Sequence, residues 1–190
     1  MKTSKVKIIG GKWRGRALEF PVSTRQLRPT PGRIRETLFN WLSGDIHGAR
    51  CLDLYAGSGA LGVEALSRGA SATVFVESDR NSSRLLEKNL RQLGDASRVY
   101  TMDARRFVRQ VGGEWDVIFL DPPYRHGMLP EILSLLAKQE CLASGGLVYI
   151  EAERELGEPR LPAGWRYIRS KHAGQIAYLL ATRNEDINEK

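Results

Sequence analysis

Cysteine is almost absent from this chain of 190 residues: only Cys51 and Cys141 occur, far apart and in apolar surroundings. That count excludes a disulfide framework and a cysteine-built metal centre, and reads as two reduced core thiols. No apolar run reaches the length needed to cross a membrane. The N-terminus is basic, but no apolar h-region follows it, so no secretory signal is expected and the cytoplasm is the expected location. Internal repeats and low-complexity segments are also missing. With 42% hydrophobic and 27% charged residues, a packed core is possible and wholesale disorder is not. The length fits one compact domain with a small appendage.

Acid is scarce at one end only. Residues 1–35 hold ten Lys/Arg against a single acid, Glu19, a net charge of +9, whereas the other 155 residues hold 19 basic and 21 acidic groups, a net −2. A localised cationic block suits a polyanion, above all nucleic acid, although a solvated tail has the same composition. Here Lys12, Arg14 and Arg16 surround Trp13 and the glycines Gly10, Gly11 and Gly15. The short apolar runs Val6–Ile9 and Ala17–Phe20 flank that turn, which predicts a folded basic hairpin. Phosphate contacts from Lys12, Trp13, Arg14, Arg16, Arg28, Arg33 and Arg35 would give affinity and orientation rather than sequence choice.

A helix is predicted from about Gly32 to Ser43, with Thr30 as N-cap, Pro31 at its first position and Gly44 as C-cap. Arg33 and Arg35 stand in its first turn, where the helix dipole disfavours cations; an anion or partner carboxylate is expected beside them. From Arg50 onward strands and helices alternate. Strands are predicted at Cys51–Tyr55, Ala72–Glu77, Val99–Met102, Asp116–Leu120 and Leu147–Glu151. The helices between them are predicted at Ala60–Ser67, Asn81–Leu93, Arg105–Val111 and Leu129–Lys138. This pattern means a parallel sheet with helices on both faces. Two late strands, Trp165–Arg169 and Ile176–Thr182, lack a helix between them and form an antiparallel pair. The expected division is a basic hairpin extension at residues 1–30, an α/β domain at 31–183 and a frayed tail at 184–190.

Two motifs carry chemistry. The buried run Val117–Leu120 ends in Asp121-Pro122-Pro123-Tyr124. The prolines stop the ladder and leave a carboxylate, free carbonyls and an aromatic ring side by side. Asp121 and the Pro122 carbonyl can accept from an NH2 group while Tyr124 stacks on its plane; the plainer reading is a proline turn with a half-buried Tyr. Pro123 and His126 would border the same base. Upstream, Asp53 precedes Ala56-Gly57-Ser58-Gly59 at the first strand-to-helix turn, and Gly62 completes a G-x-G-x-x-G. The glycines allow a tight turn and close ligand approach, and a carboxylate there repels a pyrophosphate but welcomes an ammonium or sulfonium. Glu77 ends the second strand, where it can take ribose hydroxyls. Asp103 and Ala104 end the third, where they can meet an adenine amine. Each acid alone could be a helix cap; three at consecutive strand ends indicate a ligand crevice. Arg105, Arg106 and Arg109 read as a solvated helix face, and His47 and His172 as turn residues.

Asp53–Gly62, Glu77, Asp103 and Asp121–Tyr124 together resemble the S-adenosylmethionine-dependent methyltransferases that act on amines. Arg28-Pro29-Thr30-Pro31-Gly32-Arg33-Ile34-Arg35-Glu36-Thr37-Leu38-Phe39-Asn40-Trp41-Leu42 and Leu52–Ala70 more narrowly resemble the bacterial 16S ribosomal RNA (guanine-N2) methyltransferases of the guanine-966 type. The resemblance spans about Val6 to Thr182; Tyr55 replaces an expected Phe. It implies a Rossmann-like fold of seven strands, six parallel and the last antiparallel. It also implies S-adenosyl-L-methionine as cofactor, no metal, and 16S rRNA within an assembled or assembling small subunit as partner, with a monomer as the default. Three other readings stand beside it: a DNA adenine-N6 methyltransferase, a nicotinamide oxidoreductase and a non-catalytic rRNA-binding assembly protein. The Asp53 carboxylate and Asp-Pro-Pro-Tyr argue against the oxidoreductase. A pure binding protein would leave the paired cofactor and amine sites without a use.

Overall fold

The computed structural model describes residues 2–22, 30–123 and 127–184. A two-stranded hairpin, β1 (Thr3–Lys7) and β2 (Ala17–Pro21), precedes α1 (Gly32–Trp41). Then follow β3 (Arg50–Asp53), α2 (Ala60–Ser67), β4 (Ala72–Glu77), α3 (Arg80–Leu93), β5 (Val99–Thr101), α4 (Ala104–Gln110), β6 (Trp115–Leu120), α5 (Met128–Lys138), β7 (Leu142–Glu153), β8 (Trp165–Ala173) and β9 (Ile176–Arg183). The seven-stranded sheet runs β5-β4-β3-β6-β7-β9-β8. β3 to β7 are parallel, and β9 is antiparallel to both β7 and β8. One strand of seven is therefore reversed, as the sequence pattern and the resemblance implied.

Burial on both sheet faces explains the unbroken apolar runs. Along β6, Val117 and Phe119 point to one face and Ile118 and Leu120 to the other, all fully buried. The first face packs under α1 and α2, where Ile34, Leu38, Leu61 and Ala65 meet Phe119, Tyr149 and Leu180. The second packs under α4 and α5 through Phe107, Val108, Ile132 and Leu136. Alternate residues along β3, β7 and β9 divide in the same way, because successive strand side chains point oppositely.

The hairpin seats on α2 and α3. Val6, Ile8, Trp13, Leu18 and Phe20 join Val63, Leu66, Leu86 and Leu90 in one cluster. The polar anchor is Glu64, fully buried in the middle of α2. Its carboxylate accepts from the Ile9 and Gly10 amides at 2.8 and 2.7 Å and from Arg68 Nε at 2.8 Å, and lies 3.6 Å from the Arg35 guanidinium. Ser67 adds a reciprocal pair, accepting from the Trp13 amide and donating to the Gly10 carbonyl. Gly11 has φ +73°, and a Cβ there would lie 1.8 Å from the Ser67 carbonyl oxygen, so only glycine permits this approach.

Several boundaries differ from expectation for local reasons. The first strand spans Thr3–Lys7 rather than Val6–Ile9, because the Ile9 and Gly10 amides turn to Glu64. α1 is capped by Pro31, whose carbonyl accepts from Ile34 and Arg35, and Thr30 makes no cap. The helix ends at Trp41 with Leu42 as C-cap, two residues before Ser43, so Gly44 is not its cap. β7 starts at Leu142, and β8 runs on to Ala173, which places His172 in a strand rather than a turn. Asp79 caps α3 by accepting from Ser82, and Gly94 ends it at φ +75°.

Removing the Glu64 carboxylate strands the buried Arg35 and two hairpin amides. Glu64→Ala should lower the unfolding free energy by roughly 3–5 kcal/mol, measured by denaturant titration.

Candidate active site

Strand order reverses between β3 and β6, and ligand crevices in open α/β sheets form at that point. Asp53 pairs in register with Phe119, so Asp53 and Asp121 emerge beside each other at the carboxyl ends of these strands. A cavity opens there, walled by Phe20 and Pro21 of β2, Thr30, Asp53, Tyr55–Ser58, Ala60 and Leu61, Ser82 and Asp121. Among the predicted residues, the structure thus brings together Asp53, Ala56, Gly57, Ser58 and Asp121.

The glycine turn is held from both sides. Gly57 has φ +50° and Gly59 φ +77°. A Cβ at Gly59 would lie 2.4 Å from Leu86 Cδ1, and one at Gly62 2.4 Å from the Phe75 ring. Asp53 is 2% exposed and accepts from the Gly62 amide at 3.0 Å, tying the strand end to the first turn of α2. Burial pushes its carboxyl up to about 7, against the backbone bond from Gly62. Glu77 accepts from Gly57 at 2.8 Å through one oxygen and from Asp79 at 2.7 Å through the other. It fastens the loop from outside the cavity wall and keeps part of its acceptor capacity. Burial raises its pKa, and backbone bonds from Asp79, Gly57 and Ser78 oppose that rise.

Behind Asp121 lies a buried polar chain that no sequence motif announced. The Thr30 hydroxyl donates to Glu151 Oε1 at 2.6 Å and stands 3.4 Å from Asp121 Oδ2. Tyr149 donates to the same Glu151 oxygen at 2.9 Å. Burial holds Asp121 well above the carboxylate range, with the charges of Glu151 and Asp53 adding to it. Burial also pushes Glu151 up to about 6, against the bonds from Thr30 and Tyr149 and the charge of Arg35.

Other predicted residues are placed differently. Asp103 caps α4, accepting from the Arg105 and Arg106 amides, and its carboxylate pairs with the Arg105 side chain, which lowers its pKa. It and Ala104 stand outside the cavity wall. Arg105 and Arg109 also meet Glu131, and Arg106 donates to Gln110, which makes them a paired, solvated face. Arg35 is 4% exposed and bonded to Glu64 and to the Lys7 and Thr30 carbonyls. It is a buried strut, not the expected RNA contact: the carboxylate anticipated near this cation is Glu64. Trp13 is likewise buried, with Lys12 Nζ 4.2 Å above its ring. Lys12, Arg14, Arg16 and Arg33 are exposed. Arg28, Tyr124 and His126 lie outside the described residues; Pro122 is buried and Pro123 exposed.

Ser82 was missed on sequence. It is 1% exposed, lines the cavity, and its hydroxyl has no hydrogen-bond partner among the described residues. Asp79 takes its backbone amide, so the hydroxyl is left to a ligand.

These observations define a cation-tolerant, acid-lined crevice at a switch point, and comparison with known proteins gives it a lineage. Residues 6–182 match the family model described as Conserved hypothetical protein 95. The ribosomal RNA small subunit methyltransferase D of Escherichia coli is 49% identical over 183 residues, 95% of this chain and 91% of that one. The protein of the same name from Haemophilus influenzae is 39% identical, covering 92% of each. The solved structure of yhhF from Escherichia coli superposes with a TM-score of 0.88 at 47% identity, over 96% of this chain and 100% of that one. The chain belongs to this methyltransferase family. Within the family frame, Thr30 and Glu151 stand out as members of the site that neither the glycine turn nor the Asp-Pro-Pro motif contains.

Asp53 is neutral more readily in the folded protein than in the unfolded chain, so its ionisation costs stability as pH rises from the ordinary carboxylate range to about 7. Asp53→Asn keeps an acceptor for Gly62 and removes that cost. It should be more stable than wild type by roughly 1–3 kcal/mol above neutral pH, with the gap closing as pH falls; melting curves across pH read this directly.

Proposed function

We propose that this protein transfers a methyl group from S-adenosyl-L-methionine to the exocyclic N2 amine of a guanine in 16S rRNA, the guanine-966 position, on an assembled or assembling small subunit. The observation that carries the reading is the pair Asp53 and Asp121 at one switch point, a cation-accepting and an amine-accepting carboxylate on a shared cavity wall. In this reading residues 31–183, with Thr30, do the chemistry and the basic hairpin ahead of them docks on RNA.

The residues present fit the methyl donor. Asp53 is a buried carboxylate suited to a neighbouring sulfonium or ammonium, Ser82 offers an unpartnered hydroxyl, and Glu77 has acceptor positions for ribose hydroxyls. Ala56, Gly57, Ser58 and Gly59 give backbone approach. S-adenosylmethionine supplies the electrophilic methyl. The protein's contribution is to aim the nucleophile: the guanine amine donates its lone pair into the ring, and hydrogen bonds from it to Asp121 and the Pro122 carbonyl localise that pair. Tyr124 stacks the extruded base. The hydrogen bond from the amine to Asp121 also strengthens as positive charge grows on nitrogen in the transition state. Lys12, Arg14, Arg16 and Arg33, exposed near the N-terminus, bind phosphates.

A DNA adenine methyltransferase would use the same amine site, so the acceptor decides. Purified protein with radiolabelled S-adenosylmethionine should label small-subunit rRNA as N2-methylguanosine; label in DNA adenine instead would overturn the substrate assignment. Asp121→Ala should lower turnover by about a hundredfold or more while donor affinity by calorimetry survives. Lys12→Ala with Arg14→Ala should weaken rRNA binding at every sequence tested and lower the salt slope by about 1 for each phosphate that the variant no longer neutralises; an unchanged slope would remove these residues from the interface.

A further inference from the structure

The chain Asp121–Thr30–Glu151–Tyr149 has a hydrogen count that the methyl donor and the base do not explain. A hydroxyl has one proton to donate. Thr30 places its oxygen 2.6 Å from Glu151 and 3.4 Å from Asp121. The short contact takes the Thr30 proton. Glu151 Oε1 also accepts from Tyr149, so this oxygen is an acceptor twice over. The longer contact, at the outer limit of hydrogen bonding, is then a bond only if Asp121 brings a proton of its own to the Thr30 oxygen. A buried Glu151 and a half-buried Asp121, joined by one hydroxyl, would then hold a single proton between them.

The surroundings fix which end is anionic. Glu151 is 2% exposed on β7 and faces Thr30, Tyr149 of its own strand, Arg35 of α1, Asp121 beyond β6 and Tyr178, its register partner on β9. The Arg35 guanidinium favours charge on Glu151, whereas burial and two neighbouring acids disfavour Asp121 as an anion and outweigh its contact with Thr30. The arrangement that one Thr30 proton and these charges favour has a neutral Asp121 donating to Thr30, and Thr30 donating to an ionised Glu151.

Resting on the function proposed above, we propose that Thr30 and Glu151 are positioning residues that carry the amine's surplus proton away from Asp121. As the nitrogen–carbon bond forms, the carbon–sulfur bond breaks with its electron pair left on sulfur, and nitrogen is positive with one proton too many. That proton passes to the carbonyl oxygen of Asp121, the Asp121 hydroxyl proton passes to Thr30, and the Thr30 proton passes to Glu151. Asp121 and Thr30 each gain one proton and lose one; Glu151 ends neutral. When product leaves, the chain runs back and the proton goes to water in the opened cavity.

The test combines single-turnover methylation of small subunits lacking the modification, calorimetry with S-adenosylmethionine, and infrared spectra of the unliganded protein. Thr30→Val and Glu151→Gln should each slow the single-turnover step by about tenfold or more without a comparable change in donor affinity. Thr30→Ser, which restores the hydroxyl, should recover most of the loss seen with valine. The unliganded wild type should show, at neutral pH, a protonated-carboxyl C=O band that Asp121→Asn removes and Asp53→Asn leaves in place. Unchanged rates in the valine and glutamine variants, failure of serine to recover what valine loses, or no such band in the wild type would each overturn the relay. The band together with label in DNA adenine would refute the rRNA substrate and leave the relay standing, since both targets are exocyclic amines.

Discussion

One buried carboxylate orients three separate pieces of this molecule. Glu64 sits in the middle of a helix that is apolar apart from its last residue, Ser67, and the cations and amides around it compensate its charge. The two arginines come from different places, Arg35 from α1 and Arg68 from the C-cap of α2. The two amides come from the hairpin turn more than fifty residues away. An ionised group costs several kcal/mol to bury unless it is paired and fully bonded. The hairpin, α1 and α2 are therefore not free to choose independent positions. The same network sets the site: Arg35 also bonds to the Thr30 carbonyl, and Thr30 is the residue that touches both Asp121 and Glu151.

The site is built against the stability of the fold. Asp53, Asp121 and Glu151 gather at one switch point, each with its pKa raised, and burial is the first cause in all three. A core filled for stability alone would place apolar groups there. Strain between function and folding of this sort is common where reactive groups are assembled. It also explains the glycines: the turn between β3 and α2 must approach a ligand closely while its neighbours Leu86 and Phe75 leave no room for a Cβ.

Much of the architecture was legible because it follows from local patterns. Apolar runs of strand length, capped helices such as Asp79 to Gly94, and the strand–helix alternation all report on near neighbours. So do the hairpin and the Asp53 and Asp121 motifs. What could not be read is what joins distant segments. Thr30 looked like an N-cap because Thr before Pro usually is one; it turned away because Glu151, 121 residues later, offers a stronger acceptor. Arg35 and Trp13 counted as RNA contacts because charge and aromaticity are visible in a sequence and burial is not. Asp103, expected as a ligand group, also caps α4 and pairs with Arg105, a role that composition alone leaves open. For Glu64 there was a faint signal, an acid inside Ala60–Ser67 with no polar neighbour before Ser67. Ser82 had none, since serine in a first helical turn is ordinary.

The sheet order also dictates a sequence of assembly. β9, the last strand of the described chain, lies between β7 and β8 rather than at the edge, and β8 pairs with no other strand. Until β9 is in place, β7 presents an open edge along Val148 and Ile150, and β8 has nothing to join. Its side chains Ala177, Leu179 and Ala181 then close the α4–α5 face, and Tyr178 and Leu180 the α1 face. During synthesis the nucleotide-type half of the sheet can form early, but the strand carrying Glu151 stays unprotected until almost the whole chain is available. An unpaired apolar edge is a template for association with other chains. The hazard in making this protein is therefore concentrated at β9, and a chain without residues 176–183 would lose two strands, not one.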